Sequence, residues 1–131
     1  MQRLCLFKTD PTNVDVAILD TGVSGTATFI ALIKEAIKQN KCDMSIALIE
    51  TSSVAGSGMP YAPDLHPTLK VNDPNSDMML MMDEPGDFVN WLKERELSYG
   101  TVERFAPRRL FGEYCQTRIP DKLNAISVMP A

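Results

Sequence analysis

Asp20-Thr21-Gly22-Val23-Ser24-Gly25, inside the string "VAILDTGVSGT" at 16–26, places a carboxylate, two hydroxyls and two glycines in one short stretch. Four chemistries use such a set. An Asp-Thr-Gly after an apolar pair can supply half of a proton-sharing carboxylate dyad, because close like charges resist joint ionisation. A strand-borne aspartate can instead orient a histidine that activates a serine. An acidic strand end followed by glycines can face a small cofactor, and a glycine turn that opens a helix can cradle phosphate on backbone amides. These residues alone leave all four open.

The flanking elements narrow the choice. "VDVAILD" (14–20) is apolar and β-branched and reads as a buried strand of a parallel sheet. Beyond the turn the period changes: Phe29, Leu32, Ile33, Ala36 and Ile37 recur at three and four residues, with Lys34, Glu35 and Lys38 between them. That is a helix with one face on a sheet, stopping near "QNK". "MSIALIE" (44–50) supplies a second buried strand that ends in Glu50. Strand, glycine turn, helix and strand form a βαβ unit, for which parallel pairing and a right-handed crossover are expected. The fold class is α/β, a Rossmann-like βαβ unit with a parallel sheet and additional small helices.

From 51 to 84 the chain carries prolines 60, 63, 67 and 74 and glycines 56 and 58. A loop of that length in a small domain suggests a binding role, with "TLKVN" as a short strand inside it. Asp83 is an N-cap candidate with Pro85 in the first turn, and Phe88, Trp91 and Leu92 then share a face. Another helix opens at Pro107, aligns Leu110, Phe111 and Tyr114, and is expected to end at Pro120. Phe29, Ile33, Phe88, Trp91, Phe111 and Tyr114 form the expected core. "NAISVM" (124–129) reads as a shortened strand.

The 131 residues suit one domain, and 44% hydrophobic with 23% charged residues fit a folded chain. A net charge of −4 argues against a nucleic-acid partner. Cys5, Cys42 and Cys115 are odd in number and far apart, and His66 is the only histidine, so neither a disulfide framework nor a zinc site is expected. No apolar run reaches the ~18 residues of a membrane span. The expectation is a cytoplasmic protein without a membrane partner.

Against this background three of the four chemistries weaken. An aspartic protease of the small dimeric kind is almost entirely β, whereas residues 26–39 read as a helix. A subtilase needs a histidine in a glycine-flanked setting and a later serine segment; His66 lies in "DLHPTL". A methyltransferase-like strand end lacks a third glycine near Ser24 or Thr26. The dinucleotide pattern G-x-G-x-x-G keeps its second and third glycines as Gly22 and Gly25, with Glu50 at the second strand end placed to accept from a ribose hydroxyl.

Downstream strings extend the match. "GSGMPYAPD" (56–64), "HPTLKVNDPNSDMM" (66–79), "DEPGDFVNWLKER" (83–95) and "FAPRRLFGEYC" (105–115) follow in order and spacing. Over roughly residues 14–118 the chain resembles the FAD-NAD(P)-binding domain family of flavin-dependent oxidoreductase-like proteins. The resemblance implies FAD as cofactor, and NAD(P) only in longer relatives. It implies that Gly22 and Gly25 are diphosphate-turn glycines, that Ser24 and Thr26 supply amides, and that Glu50 takes the adenosine ribose. Gly56, Gly58 and Asn72 would lie near the cofactor; Arg108 and Arg109 match the family string and suit a helix start on the surface.

Two departures shape the expectations. Asp20 stands where the family has its first fingerprint glycine, so FAD affinity is expected to be weak or absent and to strengthen in Asp20→Gly. Family members also continue well beyond this length, so the chain is expected to be an incomplete N-terminal FAD-binding portion, not catalytic by itself. An unpaired sheet edge then favours a homo-oligomer. A cofactor-free Rossmann-like scaffold is the alternative.

Overall fold

The computed structural model describes residues 13–41, 44–50, 55–99 and 104–124. Strand β1 (Val16–Leu19), helix α1 (Val23–Lys38) and strand β2 (Ile46–Ile49) follow one another, and the strands pair in parallel with Val16 opposite Ile46 and Leu19 opposite Ile49. The α/β βαβ unit is therefore present. Helices α2 (Asp87–Tyr99) and α3 (Arg108–Asn124) follow, with 3-10 turns at Met59–Tyr61 and Asn75–Asp77. No helix among the described residues is long and apolar enough to cross a membrane.

α1 buries Phe29, Ile30, Ile33 and Ala36, which recur along one stripe of the helix. Its end is set by Asn40, at φ +55, one of the few L residues that tolerate this region. Lys41 N–H then donates to the Ala36 carbonyl at 2.9 Å and Asn40 N–H to that of Ile37 at 3.1 Å, satisfying carbonyls the helix would leave open.

The strands are less buried than their composition suggested. Ile18 turns toward α1, while Leu19 and Ile49 are 74% and 42% exposed. The reason is one-sided cover: α1 packs on the face of Ile18, and the face of Leu19 and Ile49 is open among the described residues.

The second half of the core is aromatic. Phe88 and Trp91 from α2 meet Phe111 and Tyr114 from α3, with ring centroids 5.0 to 5.9 Å apart across the two helices. Such pairs add about 0.5–1.5 kcal/mol each beyond their buried area. Tyr114 Oη donates to Asp87 Oδ2 at 2.7 Å, and Arg118 holds the same carboxylate through Nε at 2.8 Å and Nη2 at 2.9 Å. This tie fixes α3 against the start of α2. All six expected core residues are buried.

Three boundaries differ from expectation. Asp83 is not the cap of α2: its carboxylate is drawn to Lys34 Nζ at 3.0 and 3.1 Å, and α2 starts at Asp87 after a turn containing Pro85 and Gly86. α3 does not end at Pro120 but continues to Asn124, crossing the proline with one N–H donor missing. "TLKVN" forms a single antiparallel bridge, Lys70 with Pro107. The strand expected over "NAISVM" falls on 125–129, outside the described residues, apart from Asn124 at the end of α3.

Candidate functional site: the glycine turn and its cavity

Asp20 N–H donates to the Ile49 carbonyl at 2.9 Å, extending the ladder by one residue before the chain turns. The turn needs φ +69 at Asp20, a region that strongly favours glycine and that aspartate tolerates through local hydrogen bonding. Here Asp20 Oδ1 accepts the Gly22 N–H at 3.0 Å. Gly25 has no alternative: a Cβ there would lie 2.1 Å from the Asp20 carbonyl oxygen. The first turn of α1 thus rests backbone to backbone on the end of β1.

Thr21 locks the turn from behind. It is fully buried; its N–H and hydroxyl both donate to Glu50 Oε2, at 3.0 and 2.7 Å, so the acidic end of β2 is clamped to the end of β1. The Thr21 carbonyl accepts from Gly56 N–H at 2.7 Å and from Thr26 Oγ1 at 3.2 Å.

Gly56 N–H brings in the opposite wall. Gly56 (φ +111) lies against α3, where a Cβ would be 2.8 Å from Gln116 Cα; Gly58 (φ +64) meets Gly22, its Cβ position 3.1 Å from Gly22 Cα. Gly112 of α3 seats under the Tyr61 carbonyl, 2.0 Å from its own Cβ position. Three backbone approaches therefore stack the turn, the 56–61 loop and α3. Between turn and loop lies a cavity of about 740 Å³, walled by Asp20, Gly22–Gly25, Ser57–Tyr61, Ile18, Leu19 and Thr28.

A helix start leaves four N–H groups without intrahelical acceptors. In α1 these belong to Gly22, Val23, Ser24 and Gly25; Asp20 takes the first, and the other three have no protein acceptor among the described residues. All four residues line the cavity, so the positive end of the helix dipole and three amide donors open into it. Residues 17–128 match the FAD-NAD(P)-binding family. The chain belongs to that family. No curated protein and no solved structure gives a match.

For a member of the FAD-NAD(P)-binding family, the expected site residues divide into three groups. Gly22, Ser24, Gly25 and Gly58 stand on the cavity wall. Thr26 and Gly56 stand behind it: Thr26 is buried, and its N–H, expected to serve a ligand, donates instead to the Gly22 carbonyl at 2.9 Å because helical bonding begins there. Glu50 is off the wall, with Oε2 held by Thr21. Asn72 is also off it; Arg108 binds the Lys70 carbonyl through Nε and Asn72 Oδ1 through Nη2, both at 2.9 Å, so Asn72 and Arg108 tie the 68–72 segment to α3. Arg109 is exposed.

The "GSGMPY" run resembles the family's cofactor-side loop, and the fold adds its Ser57, Met59 and Tyr61 to the wall. Nothing in the sequence marks Thr21 as the clamp. Toward a dinucleotide the wall is mixed in charge: the glycines and three amides suit a diphosphate, whereas Asp20 is the one charged residue on it among the described residues.

Proposed function

We propose that this chain is the FAD-binding portion of an FAD/NAD(P)-dependent oxidoreductase-like protein, holding the adenosine diphosphate half of the cofactor and not turning over by itself. The observation that carries this is the set of Val23, Ser24 and Gly25 amides opening into the cavity at the carboxyl end of two parallel strands. In this reading Gly22, Ser24 and Gly25 hold the diphosphate, Gly58 permits its close approach, and Glu50 clamps the turn through Thr21. Thr21, Thr26 and Gly56 position those groups. Bound FAD would supply hydride and electron chemistry, and no side chain here is assigned a catalytic role. The reading places the protein in the reducing cytoplasm, in keeping with the buried free thiol of Cys115.

Titration of FAD, followed by flavin fluorescence, and of ADP by calorimetry tests it in wild type and in Asp20→Gly. Binding is expected to be weak in wild type and stronger in the variant; no binding of either ligand to either protein would reject the reading. One observation favours a second reading, a cofactor-free scaffold: the Asp20 carboxylate already holds the Gly22 N–H. A colourless protein whose unfolding temperature ignores FAD, FMN and ADP would support that alternative.

A further inference from the structure

We infer that Asp20 is a specificity-determining residue that cancels the advantage of a diphosphate, so that the cavity takes the uncharged nucleoside adenosine at least as tightly as ADP. This rests on the dinucleotide reading above and goes beyond it, because it concerns which half of the ligand supplies the affinity.

In an open glycine turn, a diphosphate gains from the amides and from the helix dipole, and ADP outbinds adenosine. Here an anion is already built into that place. Asp20 Oδ1 sits 3.0 Å from the Gly22 nitrogen, and the carboxylate fronts the same cavity as the Val23, Ser24 and Gly25 amides. Among the described residues no lysine or arginine stands on the wall to offset it. A phosphate about 5 Å from the carboxylate would be repelled, at an effective dielectric near 20, by the equivalent of about two-hundredfold in affinity per unit charge, which solvent and salt in an open cavity screen to about tenfold or more. Adenosine carries no charge and escapes this loss, while contacts to the base and ribose are common to both ligands.

Calorimetric titration of adenosine, ADP and FAD into wild type, Asp20→Asn and Asp20→Gly separates the terms. Asn tolerates the positive φ and keeps an oxygen for the Gly22 N–H, so Asp20→Asn removes the charge alone; Asp20→Gly, free at that φ, is the second variant should Asn perturb the turn. Circular dichroism confirms that each is folded. The expected result is an ADP-to-adenosine affinity ratio at or below about one in wild type, rising about tenfold or more in both variants. A wild-type protein that prefers ADP by about tenfold, or a ratio that no variant shifts beyond about twofold, overturns the inference and leaves the dinucleotide reading intact. Absence of binding by all three ligands to all three proteins overturns both.

Discussion

Replacing Gly25 by alanine probes the contact on which the turn is built. The added Cβ would stand 2.1 Å from the Asp20 carbonyl oxygen, 3.1 Å from its carbon and 3.3 Å from Ile18 Cγ2, while real Cβ atoms essentially never come within 3.0 Å. Two of those three neighbours are backbone, so no side-chain rotation relieves the clash. Either α1 lifts from β1 by about 1 Å or the turn opens. Overpacking of this kind costs about 1–3 kcal/mol, and lifting the helix also stretches the bonds that Thr26 Oγ1 and Gly56 N–H make to the Thr21 carbonyl, each worth about 1 kcal/mol. A loss of about 3 kcal/mol follows, a large part of a stability of about 5–15 kcal/mol. At a typical slope of about 1.5 kcal/mol/M, the urea midpoint falls by about 2 M. Gly86→Ala is the control, since its nearest neighbour would be Asn90 Nδ2 at 3.8 Å; its midpoint should move by about 0.5 M or less. Equal small shifts in the two variants would refute the close-contact account of Gly25.

Asn75→Ala should cost about 1–3 kcal/mol in thermal or urea unfolding, because Asn75 Oδ1 accepts the buried Ala106 N–H at 2.7 Å and its loss leaves that donor unmatched. Burial pushes the Cys115 thiol up from 9.0 to about 12. Its neutral form therefore contributes stability that is complete below pH 9 and lost as pH climbs toward 12, at up to about 1.4 kcal/mol per pH unit. Urea titrations at pH 8, 9 and 10 should show this alkaline loss reduced in Cys115→Ala; an unchanged slope would assign the loss to other groups. The open sheet face carrying Leu19 and Ile49 should promote self-association, read as a dimer mass by light scattering, and Ile49→Lys should shift the mass toward the monomer.

The elements most legible in the sequence were those whose apolar period is strong and whose partners are near. Phe29, Ile33 and Ala36 identify α1 and its buried face, and β-branched runs at 16–19 and 46–49 identify the parallel pair. Boundaries that depend on distant side chains were not legible. Asp83 has the chemistry of an N-cap, yet Lys34, far away in sequence, engages its carboxylate and α2 starts later. Asn72 stands within a family string, and only the fold shows its Oδ1 accepting from Arg108 across 36 residues.

Asp20 shows the same division within one residue. Its departure from glycine is visible in the sequence, and so is the conflict between its charge and a phosphate. What only the fold reveals is why the position favours glycine at all: φ is +69 there, and aspartate is tolerated because its carboxylate accepts the Gly22 N–H. The hydrogen bond that makes the substitution tolerable to the fold is also the one that puts an anion over the helix start. Stability of the turn and affinity for a diphosphate are therefore opposed at a single side chain. A substitution that frees the Gly22 amide should improve binding without requiring any change elsewhere in the cavity wall.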